Sequence, residues 1–100
     1  MDRQVREFAA KLKKKFKIDR LIFFGSRARG DWLKGSDYDF VIVSPDFEKT
    51  DFLDRAALVA RKCNAYLPAD LLCYTPEEFD RKKKEICIVR EAVKTGVSII

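Results

Sequence analysis

Gly25-Ser26 is followed, after ten intervening residues, by Asp37-Tyr38-Asp39. The glycine closes the apolar run Leu21-Ile22-Phe23-Phe24, and the aspartates open a second run, Phe40-Val41-Ile42-Val43. Side chains alternate faces along a strand, so Asp37 and Asp39 point one way and Tyr38 the other. At about 3.3 Å per residue the two aspartate Cα atoms lie roughly 6.5–7 Å apart. Such carboxylates can hold one hard cation or share two. Two metal-holding carboxylates beside a glycine turn point to phosphate chemistry.

A glycine at the end of a strand permits a turn closed to bulkier residues and lets a phosphate approach the backbone closely. If a short helix starts at Ser26, its N–H groups and dipole attract negative charge. Ser26 adds a hydroxyl donor, and Arg27 and Arg29 add guanidinium forks suited to phosphate oxygens. Each half of this pattern has an ordinary structural reading, a small-residue turn or a solvated strand edge. The two halves together, on two strand-like runs, favour a functional site.

The segment Gly25-Ser26-Arg27-Ala28-Arg29-Gly30 with Ser36-Asp37-Tyr38-Asp39 resembles the signature of the DNA polymerase beta-like nucleotidyltransferase superfamily. In its finer form it is similar to the minimal nucleotidyltransferases, the type paired with HEPN-domain toxins. A looser likeness extends along the chain to Leu67-Pro68-Ala69-Asp70-Leu71-Leu72. The resemblance implies that Gly25, Ser26, Arg27, Arg29 and Ser36 bind the nucleotide triphosphate, and that Asp37 and Asp39 bind two magnesium ions. A third carboxylate on a later strand would complete the metal site and activate the acceptor hydroxyl. The implied reaction moves AMP from ATP to a hydroxyl, here a tyrosine of a HEPN toxin, and makes the chain an antitoxin. The alternative is a binding module that neutralises its partner by contact, without significant catalysis.

Asp70 is the candidate for the third carboxylate, because it opens the apolar run Leu71-Leu72-Cys73-Tyr74 as Asp37 and Asp39 open theirs. Pro68-Ala69-Asp70 is also good turn chemistry, which is its plain structural reading. Asp46, Asp51 and Asp54 compete less well, since they fall in a loop and at a helix start.

The elements that must position these residues alternate between helix and strand. Val5, Phe8, Ala9, Leu12 and Phe16 recur at helical spacing over residues 2–16. Strands are expected over 19–24, 38–43 and 69–74, with Ser44-Pro45-Asp46 ending the second. Thr50 or Asp51 can cap a helix whose inner face carries Leu53, Ala56, Ala57, Ala60 and Cys63. Thr75-Pro76-Glu77-Glu78 reads as an N-cap, a first-turn proline and a capping-box glutamate. The polar gap between Phe79 and Ile86 predicts a break in the helix that follows. Gly96 is expected to stop the last helix, and 97–100 to form a short edge strand. The fold class is α/β (α+β): a small mixed sheet with helices on one face, in one domain over residues 1–100. The resemblance implies the nucleotidyltransferase fold.

A chain of 100 residues leaves no length for a separate acceptor-binding domain. The acceptor would therefore be held by a partner, by a second copy in a homo-oligomer, or only loosely. The net charge of +5 gathers in Lys11, Lys13, Lys14, Lys15 and Lys17 and in residues 81–84. Both blocks fall in amphipathic helical segments without interleaved aromatics, so solvated faces are favoured over direct nucleic-acid binding. The chain has no histidine, which removes His-dependent triads and the usual zinc ligands. Cys63, Cys73 and Cys87 lack metal or redox spacing and read as reduced, buried thiols. No apolar run is long enough to span a membrane and no signal peptide is evident, so a cytoplasmic location is expected.

Overall fold

In the computed structural model, residues 3–25, 28, 38–64, 69–85 and 87–100 are described. Helix α1 (Arg3–Lys15) leads into β1 (Arg20–Phe24) and β2 (Tyr38–Val43). A 3₁₀ turn over Pro45–Lys49 precedes α2 (Phe52–Cys63) and β3 (Ala69–Tyr74). The chain continues through α3 (Pro76–Lys82), α4 (Ile88–Thr95) and β4 (Val97–Ser98). The strands form one sheet in the order β3-β2-β1-β4. β1 is antiparallel to both β2 and β4, whereas β2 and β3 run parallel. This is the mixed-sheet α+β class expected from the sequence, and the strand limits agree to within a residue or two.

Alternation divides the strands between two cores. Leu21, Phe23, Tyr38, Phe40 and Ile42 pack with Val5, Phe8 and Leu12 of α1 and Val59 and Cys63 of α2. Ile22, Phe24, Val41 and Val43 pack instead with Phe79 of α3 and Val89 and Ala92 of α4. The two long helices therefore share one face, as expected, but the short α3 and α4 cover the other. The physical reason lies in the strands: Leu21 to Phe24 and Phe40 to Val43 are buried throughout, and a sheet apolar on both faces must be covered on both.

The capping signals are realised. The Thr75 hydroxyl accepts from Glu78 N at 3.3 Å, and Glu78 Oε1 accepts from Thr75 N at 2.9 Å. The expected helix break separates α3 from α4, and Gly96 caps α4. A Cβ at Gly96 would lie 2.5 Å from Ala92 O and 2.7 Å from Ile22 Cγ2. Glycine thus lets the end of α4 settle directly onto β1. Asp51 holds the N-cap position of α2 without a side-chain cap bond.

The inner face of α2 differs from the periodicity reading. Leu53 is 89% exposed and Ala57 and Ala60 are exposed, whereas Arg55, Val59 and Cys63 are buried. Asp54, Arg55, Arg61 and Lys62 mark one polar sector, and the helix sits rotated so that Arg55, at the edge of that sector, is buried with Val59 and Cys63. The choice is made by Arg55. Its Nε donates to Thr50 O at 2.9 Å, Nη1 to Cys73 O at 3.2 Å, and Nη2 to Glu78 Oε2 at 3.3 Å.

Candidate active site

β1 ends, and β2 and β3 begin, at the same end of the sheet. Phe24 is the register partner of Asp39, and Asp39 is the register partner of Asp70. Register partners on neighbouring strands share a face. Asp39 and Asp70 therefore stand in adjacent rows on the α3/α4 face, separated by about one strand spacing of 4.8 Å. Tyr38 points to the opposite face, where its hydroxyl donates to Gln4 Oε1 at 3.0 Å. The alternation expected for Tyr38 and Asp39 is thus observed.

Gly25 follows β1 at φ +84°, in the left-handed region that glycine enters freely. A Cβ there would collide with Asp39 Oδ2, and would lie 3.1 Å from Asp39 Cγ and 3.3 Å from Asp39 Cβ. The glycine serves two ends: it turns the chain, and it vacates the space that the Asp39 carboxylate fills. The second role was not anticipated from the sequence, because it depends on the β1–β2 register.

Asp39 and Asp70 also share the lining of a groove of about 420 Å³, with Phe24, Leu71, Leu72 and Ile88 among its walls. Asp70 is exposed and Asp39 partly buried. Both are hard oxygen donors at one sheet end, beside the Gly25 turn. This donor set fits a magnesium ion. Ser26, Arg27, Arg29, Ser36 and Asp37 lie outside the described residues. Among the described residues no group of three metal-capable side chains converges.

The competing aspartates sit elsewhere. Asp46, in the 3₁₀ turn, accepts from Lys17 N at 2.9 Å, and Asp51 and Asp54 lie at the start of α2. A charge pair missed by sequence reasoning is Arg55–Glu78, at the opposite end of β3. Its one sequence signal is the spacing of Arg55, Val59 and Cys63, which places an arginine in line with two core residues. Cys63 and Cys73 are buried and Cys87 partly so, all as free thiols. Burial raises the Cys63 thiol and pushes Cys73 up to about 12. The lysines of α1 are exposed, as expected of a solvated face. No helix among the described residues is long and apolar enough to cross a membrane.

A crystal structure from Sulfolobus solfataricus, provisionally assigned as a nucleotidyltransferase, aligns with a TM-score of 0.61 and 29% identity, covering 78% of this chain and 69% of that one. A second provisionally assigned nucleotidyltransferase structure aligns at 0.54 and 26% identity, covering 80% and 87%. The BolA1 protein of Arabidopsis thaliana aligns at 0.59 with 20% identity, over 78% of this chain and 98% of that one; at that identity the likeness is one of fold alone. In sequence, 50 residues are 42% identical to a protein of Methanocaldococcus jannaschii provisionally named a protein adenylyltransferase. That match covers 47% of this chain, which spans about half the length of the relative, 50%. The nucleotidyltransferase domain family matches residues 5–95, a span that contains Gly25, Asp37, Asp39 and Asp70, and the chain belongs to that family.

Proposed function

We propose that the chain is a magnesium-dependent adenylyltransferase that moves AMP from ATP to a protein hydroxyl. Its acceptor is a tyrosine of a HEPN-domain toxin, and the chain acts as that toxin's antitoxin in the cytoplasm, as one folded unit over residues 1–100. The observation that carries this reading is the register row Phe24–Asp39–Asp70, which brings two carboxylates together beside the Gly25 turn.

In this reading the Gly25 turn, Ser26, Arg27, Arg29 and Ser36 hold the triphosphate through N–H, hydroxyl and guanidinium donors. Asp37 and Asp39 hold magnesium, and Asp70 completes the set. Bound magnesium would neutralise charge on the attacking oxygen and on the leaving pyrophosphate. Asp70, exposed at the strand edge, orients the acceptor hydroxyl and takes its proton. The acceptor oxygen forms its bond to the α-phosphorus as the bond from that phosphorus to pyrophosphate breaks. The remaining contribution is positioning, since in-line displacement needs its reacting atoms held near contact distance.

The test is co-expression of the chain with the toxin, followed by mass spectrometry of the toxin. AMP should appear on a tyrosine with the wild-type chain and be absent with Asp37→Asn. Titration calorimetry separates the roles: Ser26→Ala and Arg29→Ala weaken ATP binding, whereas Asp70→Asn retains it and loses turnover. Full neutralisation of the toxin by Asp37→Asn, with no AMP attached, overturns the enzymatic reading.

A further inference from the structure

The strand that carries Asp70 is also a margin of the sheet, and among the described residues no strand lies outside it. Backbone groups along such a strand alternate between its neighbour and the exterior. Tyr74 O accepts from Ser44 N at 3.0 Å, on the β2 side. Cys73 O faces outward, where Arg55 Nη1 donates to it. Ala69 and Leu71 share the parity of Cys73, so their amides and carbonyls also face outward, while those of Asp70 and Leu72 face β2. Arg55 thus caps the outer row at its far end. At Leu71 and Ala69 the row borders the 420 Å³ groove instead.

The walls of that groove come from both sides of the sheet. Ala56 of α2 and Leu71 lie on one side; Leu72 and Ile88 lie on the other, with Asp39 and Asp70 in the same lining. Ile88 is 57% exposed although apolar. A cleft that straddles a strand margin, apolar on both flanks and backed by outward backbone groups, offers what an extended polypeptide needs: ladder partners and side-chain walls. We infer that the acceptor segment adds to the margin of β3 as a further strand and that its residue opposite Asp70 carries the hydroxyl. The inference rests on the transferase reading above and gives it a substrate class, an extended peptide.

The register supplies the delivery. Directly opposed residues on neighbouring strands have Cβ atoms about 4.5–5.5 Å apart and point to one face. The residue opposite Asp70 therefore extends the row Phe24–Asp39–Asp70 by one place and sets its hydroxyl beside the Asp70 carboxylate. Its immediate neighbours in the segment turn to the Leu71 and Ala56 wall, and the next ones along meet Leu72 and Ile88. Backbone bonds give affinity and alternate side chains give selectivity, as in other strand additions. In the transfer, the segment's hydroxyl oxygen bonds to the α-phosphorus of ATP, pyrophosphate leaves, and the proton passes to Asp70.

The probe is the peptide Lys-Thr-Val-Tyr-Val-Thr-Lys, used with the full chain, ATP and magnesium. Amide hydrogen exchange at Leu71 should slow by about tenfold or more when millimolar peptide is added, because a donor that faces away from β2 becomes a ladder donor. N-methylating one alternate set of peptide amides should weaken binding by about tenfold or more, and methylating the other set should spare it. No change at Leu71, or equal sensitivity to both sets, overturns the inference. So does a Leu71 amide already protected in the protein alone and released on dilution, which means that a second copy fills the margin. Leu71 protection with the expected alternation, yet no AMP on the peptide tyrosine, strikes the transferase reading and leaves the docking mode standing. AMP transfer without alternation does the reverse.

Discussion

The two ends of β3 treat charge in opposite ways. At Tyr74 the surroundings are closed: Arg55 meets Glu78, Thr50 O and Cys73 O, Ser44 N meets Tyr74 O, and Thr75 and Glu78 cap each other. Opposite charges meet there, and among the described residues no buried side-chain polar atom lacks a partner. At Asp70 two carboxylates of like sign stand in adjacent rows of one face. Like charges brought together raise the free energy of the folded chain unless something positive joins them. One end joins opposite charges, and the other sets two carboxylates side by side.

Changes at the Asp70 end should strike activity hardest. Asp39→Asn is expected to lower transfer roughly 10²–10³-fold, the scale on which removing one preorganised electrostatic group acts. Calorimetric melting of the same variant checks that the fold is kept. A fall in melting temperature with normal transfer would erase the contrast between the ends. Gly25→Ala should damage both properties, since it strains φ +84° and drives a methyl into the Asp39 carboxylate. A loss of about 1–3 kcal/mol by urea titration, together with weakened transfer, is expected.

At the Tyr74 end the order reverses. Arg55→Ala should leave ATP binding intact but destabilise the fold by about 2–3 kcal/mol, below the full penalty for breaking a buried pair because the Glu78 side chain retains 30% exposure. Calorimetric melting checks it. A gentler probe is pH. The hydrogen bond from Arg55 holds the Glu78 carboxyl below its ordinary value of 4.5. A depressed carboxylate stabilises the fold above its unfolded value, and that contribution fades as pH falls from about 4.5 through the folded value. Glu78→Gln should flatten this acid limb of the stability curve. The smallest effect belongs to Leu53→Asp, within about 0.5 kcal/mol, because Leu53 is 89% exposed.

Legibility in the sequence follows the same division. Phe24, Gly25, Asp39 and Asp70 could be read as strand ends because runs of branched and aromatic residues meet small or acidic ones there. Thr75 and Glu78 announced their cap through spacing alone. What spacing could not supply was register. That Asp39 faces Asp70 directly, and that Gly25 makes room for the Asp39 carboxylate, depend on pairing between distant segments. Arg55 was illegible for a related reason: an arginine inside a helix reads as solvated until two carbonyls and a glutamate are brought to it. α3 and α4 offered only Phe79, Val89 and Ala92 as buried positions, too few to declare a second covered face.

Cys73 gives this arrangement a clock. The residue is 2% exposed and burial pushes its thiol up to about 12, within the strand that carries Asp70. The thiolate is the form that attacks thiol reagents, so at neutral pH Cys73 should stay silent until β3 parts from its neighbours. Cys87, partly exposed at the start of α4, would react first and mark zero time. The lag between the two modifications then measures how often the sheet margin opens, in a chain that needs no added label.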